Sequence, residues 1–248
     1  MTQKKTHKAV TGKGSALGKY QDVIVGSRSF FYLLYYEWCV WLGVVPGALG
    51  MALRQIFWPR LFGSCGKKAA FAAGIILRHP KRIHLGDSVV ISEGCILDAR
   101  NQEKDRAIVL GREVILSNNV ILSCKSGSIC IGDATGVNSG TVIQSTNECP
   151  VSIGADVIIG QGCCVIGGGN YNFERLDIPI RKQGIRDDGG IVIKDDVWLG
   201  AKVCVLGGVS IGKGSIVAAS AVVAKTVENY SICKGIPAKV TGNRKDET

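Results

Sequence analysis

The sequence predicts an all-β-dominated chain: a three-sided parallel β-solenoid behind an N-terminal α-helical hydrophobic segment. From about Ile83 an aliphatic residue returns at every sixth position, followed by glycine, aspartate, asparagine or another small residue. Glycine is abundant at 33 residues, proline scarce at 6 and aromatic content only 6%, which suits many short strands and tight corners. Yet ten of the sixteen aromatic residues crowd between Phe30 and Phe62.

Charge separates the same two parts. Residues 1–84 hold 13 lysines or arginines against Asp22 and Glu37, a net +11, while the chain as a whole carries +10. Residues 1–28 read as a basic, flexible tail. Nucleic-acid binding is one use of such a segment, but the residues that follow favour an anionic membrane surface and no nucleic acid. They read SFFYLLYYEWCVWLGVVPGALGMALRQIFWPRLF, residues 29–62.

The longest uncharged run there, Trp38–Leu53, has 16 residues and contains Pro46. A spanning helix needs about 20 apolar residues, and Pro46 breaks or kinks a helix. Residues 29–82 therefore read as a helical membrane-associating segment, two apolar stretches lying in the interface. Arg54, Arg60, Lys67, Lys68, Arg78, Lys81 and Arg82 would face anionic lipid. The localisation expected is cytoplasmic and peripheral, on the inner face of the plasma membrane. A hairpin packed on its own protein or on another subunit is the competing reading.

The repeat begins with LGDSVV–ISEGCI at Leu85 and continues through LGREVI at Leu110, IGDATG at Ile131, IGADVI at Ile153, IKDDVW at Ile193 and IGKGSI at Ile211. Each pair of sixes plus a third segment makes one circuit, with the aliphatic side chains stacked inside the prism at about 4.8 Å per circuit. Residues 83–228 form this solenoid. Its regularity fails at GGGNYNFERLDIPI, where a polar excursion runs from 167 to 190; a loop of this length inside so regular a stack implies a function. The ten cysteines form no CxxC and read as small apolar fillers, not disulfides or metal ligands.

The hexads, the DDVWLGAKVCVLGGVSIGKGSIVAASAVVAKT stretch and the terminal GIPAKV at 235–240 resemble the hexapeptide-repeat acyltransferases, in particular the galactoside, maltose and capsule O-acetyltransferase branch. The resemblance implies a left-handed parallel β-helix, a homotrimer and acetyl-CoA, or another acyl-CoA, bound between subunits. It makes 229–248 a C-terminal cofactor-binding segment and tail. It implies transfer to a hydroxyl of a sugar or lipid-linked glycan precursor, with no metal. The 167–190 loop matches the family's loop that walls the acceptor site.

Transfer from a thioester to a hydroxyl needs a base and an oxyanion donor. The resemblance places the family's histidine at Asn170, or with one residue of slip at Tyr171. This chain's histidines are instead His7, His79 and His84. The loop's candidates for the catalytic role are Asn170 as a donor, Tyr171 if a cation depresses it, and Glu174 or Asp177 if desolvated. On the cofactor side the resemblance implies Ala201 and Ala219 along the pantetheine arm and Lys225, Lys239 and Arg244 near the phosphates. A γ-class carbonic anhydrase would need three zinc-binding histidines in the repeat. A catalytically degenerate membrane-bound trimeric scaffold or glycan binder is the non-enzymatic alternative.

Overall fold

In the computed structural model, residues 15–101 and 104–246 are described. Helix α1 spans Ala16–Tyr20 and runs into a π-turn at Gln21–Val25, so the described part of the expected flexible tail is helical; residues 1–14 lie outside the described residues. Helices α2, Phe30–Leu42, and α3, Gly47–Phe57, follow, parted at Pro46 as the sequence implied. Among the described residues no helix is long and apolar enough to cross a membrane.

The solenoid begins at β1, Ser64–Cys65, a full circuit earlier than the expected start at residue 83. β1 pairs with β4 (Ile83–Leu85), β2 (Ala70–Phe71) with β5 (Val90–Ile91), and β3 (Ile76–Arg78) with β6 (Ile96–Asp98), all parallel. The first circuit escaped the sequence reading because Cys65 and Ala69 occupy the inward positions held one circuit up by Leu85 and Val89. Its core is supplied instead by Phe71 and Leu77, against which Trp58 and Phe62 pack from below.

Seven circuits stack into three parallel faces. Face A runs from β1 through β4, β7 (Ile108–Leu110), β10 (Ile129–Ile131), β13 (Val151–Ile153) and β16 (Ile191–Ile193) to β19 (Ser210–Ile211). Face B runs from β2 to β20 (Ile216–Val217). Face C runs from β3 through β12 (Val142–Ser145), β15 (Cys164–Gly167) and β18 (Cys204–Val205) to β21 (Val222–Val223). Beyond the last circuit, β22 (Ser231–Lys234) extends face B in parallel and β23 (Lys239–Asn243) returns antiparallel to it.

The hexad's Gly-Asp phrase now has a cause. At the A-to-B corner a Cβ on Gly86 would lie 2.6 Å from the Gly111 carbonyl carbon, so glycine at 86 lets these two circuits approach closely. The aspartate at the next position accepts a backbone N–H from the circuit below: Asp87 from Lys67 at 2.6 Å, Asp133 from Arg112 at 2.8 Å and, after Lys194 in place of the glycine, Asp195 from Ala155 at 2.9 Å. The long insertions fall at the C-to-A corner, so the 167–190 loop leaves the prism at one edge only.

Helices α2 and α3 close the lower end of the prism. In a parallel sheet the end strand presents unpaired carbonyls; here Tyr36 donates to Leu77 O at 2.7 Å and Arg54 to Phe71 O at 2.9 Å. Arg54 is 1% exposed and also donates to Leu42 O and Val45 O, the last carbonyls around α2. This corrects its placement among lipid-facing cations: its charge is spent inside. Arg78 likewise turns to Asp98 at 3.0 Å, and Arg82 bonds the Asn101 carbonyl.

Six of the ten cysteines are buried, as filler residues should be, and all ten are free. Burial pushes the Cys39, Cys65 and Cys149 thiols from an ordinary 9.0 to about 11 and Cys124 to about 12. The folded state keeps these protons where the unfolded chain releases them, so stability is unaffected below the unfolded value and falls as pH rises towards the folded ones. Melting temperatures are therefore expected to drop progressively between pH 9.0 and about 12, and Cys124→Ala to flatten that drop. An identical slope in the variant would refute the assignment.

Candidate functional site

Strand β15 ends at Gly167, and Gly168 at φ 72° turns the chain out of the circuit. A Cβ there would meet the Thr146 carbonyl oxygen at 2.1 Å, so the exit requires glycine. The neck is held by Asp188, whose carboxylate accepts from Gly168 N at 2.9 Å, Gly190 N at 2.9 Å and Asn170 Nδ2 at 3.3 Å. Beside it the Cys149 thiol donates to Asp187 Oδ1 at 3.3 Å, and Asn147 Nδ2 to Ile185 O at 3.3 Å. Asp187 and Asp188 were not singled out from sequence. The signal was the DDGG phrase, two turn-forming acids before the glycines that re-enter face A.

Outside the neck the loop is a short antiparallel arm. Arg186 N donates to Asn170 O at 2.7 Å and Asn172 N to Gly184 O at 3.1 Å, with Tyr171 bridged to Ile185. Gln183 braces the tip, its Oε1 accepting Arg175 N at 3.0 Å and its Nε2 donating to Arg175 O at 2.6 Å. Gly169, Asn170, Tyr171, Phe173, Ile180 and Arg186 line an open depression of about 520 Å³ on this arm. The tip is apolar as well as charged: Leu176 is 98% exposed and Phe173 62%.

The structure thus brings Asn170 and Tyr171 to one hollow and sets Glu174 and Asp177 on its outer rim. Neither acid is desolvated, which corrects the condition under which it was to serve as a base. Glu174 is fully exposed and held below the usual carboxylate range by its own and Phe173's backbone N–H. Asp177 is held low by Arg175, which donates at 3.0 and 2.5 Å. His84 is no substitute. It lies in the second circuit, with Nδ1 2.9 Å from Ser64 Oγ and Nε2 3.2 Å from the Asp105 carbonyl.

The residues expected to hold the cofactor divide among three edges. Ala201 and Ala219 stack on the B-to-C corner, where Gly200 lets the circuits approach: a Cβ on Gly200 would meet Ala219 N at 2.6 Å. Segment 235–238 folds over that corner, Ala238 N donating to Val222 O at 2.8 Å and Val222 N to Gly235 O at 3.1 Å. This brings exposed Lys239 to the top of the same column, beside Lys234. Lys225 lies past β21 towards the C-to-A corner. Arg244 is at the A-to-B corner, 2.8 Å from Asp196 Oδ2 and 3.2 Å from Gly214 O. Within one chain the width of face C separates the loop from the Ala201–Ala219–Lys239 column.

Comparison with known proteins agrees with this architecture. The family model described as bacterial transferase hexapeptide (six repeats) matches residues 190–225. The chain is 29% identical over 168 residues to a protein named "probable acetyltransferase" of Mycobacterium tuberculosis, covering 66% of this chain and 55% of that one. It is 32% identical over 108 residues to the galactoside O-acetyltransferase of Lactococcus lactis, covering 42% and 51% respectively. The chain thus spans about half the length of these curated relatives. Among solved structures, a variant of AntD, an N-acyltransferase from Bacillus cereus in complex with dTDP and coenzyme A, superposes with TM-score 0.52 at 21% identity, covering 79% of this chain and 89% of that one. That likeness concerns the fold. The repeats and the three-faced stack thus go with a hexapeptide-repeat match at residues 190–225 and with similarity to proteins named as acetyltransferases.

Proposed function

We propose that the protein is an acyl-CoA-dependent acyltransferase that moves an acetyl group to a hydroxyl of a sugar or glycan precursor, at a site completed between subunits of a homotrimer. The observation that carries this reading is the placement of the two half-sites. The loop leaves between the fifth and sixth circuits at one edge of face C, and Ala201 and Ala219 lie in the sixth and seventh circuits at the other edge. Side-by-side copies at equal height bring one chain's loop to its neighbour's column. The exposed Leu176 and Phe173 at the loop tip fit such a contact.

In this arrangement acyl-CoA lies along the column, with backbone groups of Ala201 and Ala219 towards the pantetheine and Lys239 towards the phosphates. Asn170 Nδ2 offers a donor to the developing oxyanion, and the depression between Tyr171 and Arg186 receives the acceptor. Calorimetry tests the cofactor half. Acetyl-CoA is expected to bind in the micromolar range, and Lys239→Ala to raise Kd about tenfold, roughly 1.4 kcal/mol for one phosphate contact. Absence of binding at millimolar CoA would overturn the enzyme and leave a glycan-binding scaffold.

A second reading, transfer to an amine, is favoured by one observation. Glu174 and Asp177, the two acids on the arm beyond the neck, are exposed and held as weakly basic anions. A hydroxyl needs a base to become nucleophilic, whereas a neutral amine already is. AntD, the N-acyltransferase whose fold is similar, is described in complex with dTDP-4-amino-4,6-dideoxyglucose and coenzyme A. Parallel assays with hydroxyl-only and amino sugars separate the two readings.

A further inference from the structure

We propose that the outer face of the α2–α3 hairpin docks flat on an anionic lipid surface and stands the prism upright upon it. Among the described residues ten of the 23 exposed large apolar side chains fall between Phe30 and Ile56, so this patch is a concentration and not surface scatter. Phe31, Leu34, Trp41, Val44, Leu49 and Ile56 all point away from the core. Trp38 and Trp41 stack at 5.8 Å on the outside, with Phe57 edge-on to Trp38.

What the face lacks is as telling as what it carries. Between Phe30 and Phe57 the only charged residues are Glu37 and Arg54. Glu37 accepts from Tyr20 Oη at 2.6 Å, and Arg54 is fully buried. The exposed Glu37 carboxylate, tied to Tyr20 Oη, is therefore the one charged group that these two helices present on the patch. Exposed cations stand around it instead: Arg60 just beyond α3, Lys67 and Lys68 at one corner of the lowest circuit and Lys81 at another. Among the described residues none of these four makes an ion pair with a carboxylate. An apolar centre with aromatic residues and a cationic rim complements a bilayer surface bearing anionic headgroups.

The orientation follows from the capping bonds. Tyr36 and Arg54 bind carbonyls on the open edge of the first circuit, so the hairpin lies across the end of the prism and its outer face looks along the stacking axis. The loop departs at the fifth circuit, four circuits or about 19 Å above the first one, on which the hairpin is capped. Where that loop acts in acyl transfer, a consequence that rests on the reading above, a membrane-bound acceptor must carry its sugar well clear of the headgroups. A lipid-linked glycan of several residues meets that requirement; a bare headgroup does not.

Flotation of the full chain with lipid vesicles tests the docking, with neither CoA nor acceptor present, so its outcome is independent of the calorimetry. The protein is expected to float with phosphatidylcholine vesicles containing phosphatidylglycerol and to bind phosphatidylcholine alone more weakly. The double variant Phe31→Glu/Trp41→Glu should reduce the bound fraction at least about tenfold. Its melting temperature should stay unchanged, because the two side chains are 82% and 63% exposed. Lys67→Glu/Lys68→Glu should weaken binding to the anionic vesicles only. The proposal is overturned if wild type does not float, or if the double variant floats equally well. It is also overturned if the double variant only breaks up an oligomer in solution, which would assign the face to a second copy of the chain.

Discussion

Excising residues 171–185 and joining Asn170 to Arg186 through two glycines is expected to lower acyl transfer at least about 100-fold while leaving CoA affinity within about twofold. The splice is geometrically mild. Arg186 N already donates to Asn170 O at 2.7 Å, so the two ends stand side by side across the arm. The neck would keep its own bonds, from Gly168 and Gly190 to Asp188 and from Cys149 to Asp187. The circuits below and above would remain paired through Val151↔Ile191 and Ile153↔Ile193. The column that is proposed to hold CoA lies at the other edge of face C and loses nothing from its own chain. What disappears is the hollow of Tyr171, Phe173 and Ile180 in which an acceptor would be aligned against the thioester. Rate lost with binding intact would identify the loop as the acceptor wall. Loss of CoA binding instead would show that the loop holds the cofactor, and an unchanged rate would remove it from the mechanism.

Arg54→Met should cost about 3–5 kcal/mol and lower the melting temperature by roughly 10 °C. Methionine replaces the stem but strips three hydrogen bonds, leaving the Phe71, Leu42 and Val45 carbonyls short of a donor beneath the first circuit. Two structural units depend on this one side chain: the C-terminal end of α2, whose carbonyls carry the negative end of the helix dipole, and the open edge of face B. Gly50 makes room for the arrangement, since a Cβ there would lie 1.9 Å from Val45 O and 3.0 Å from the Arg54 guanidinium. Arg54→Lys keeps the charge but not the fork that reaches both elements, so it should fall between methionine and wild type. A melting temperature within about 2 °C of wild type for the methionine variant would show that the carbonyls find other donors and that the hairpin is held by apolar packing alone.

How much of this was legible in the sequence depends on the range over which each feature is encoded. The solenoid was legible because every circuit repeats its own local instructions. An inward aliphatic residue, a glycine where circuits nearly touch and an aspartate that accepts an N–H from the circuit below recur at fixed spacing, as in Leu85-Gly86-Asp87 and Ile131-Gly132-Asp133. The loop was legible as a break in that rhythm, and the helical hairpin as a block of aromatic and aliphatic residues divided at Pro46. The first circuit was hidden because Cys65 and Ala69 stand where an aliphatic signal was sought, their missing volume supplied from outside the repeat by Trp58 and Phe62.

Other features belong to the tertiary structure alone. Arg54 reads as one more surface cation until the fold places three carbonyls from separate elements around it, and carbonyls leave no mark in a sequence. Glu174 and Asp177 looked like bases awaiting burial; the arm instead holds both in water as anions, a matter of loop conformation and not of residue type. The distribution of Ala201, Ala219 and Lys239 on one edge, and of Arg244 on another, depends on where the terminal strand β23 reverses over face B. Sequence by itself determined a stack of circuits, an interrupting loop and an apolar base. Only folding decided which edges the loop and the Ala201–Ala219–Lys239 column occupy and which charges remain exposed, because both depend on contacts between residues far apart in the chain.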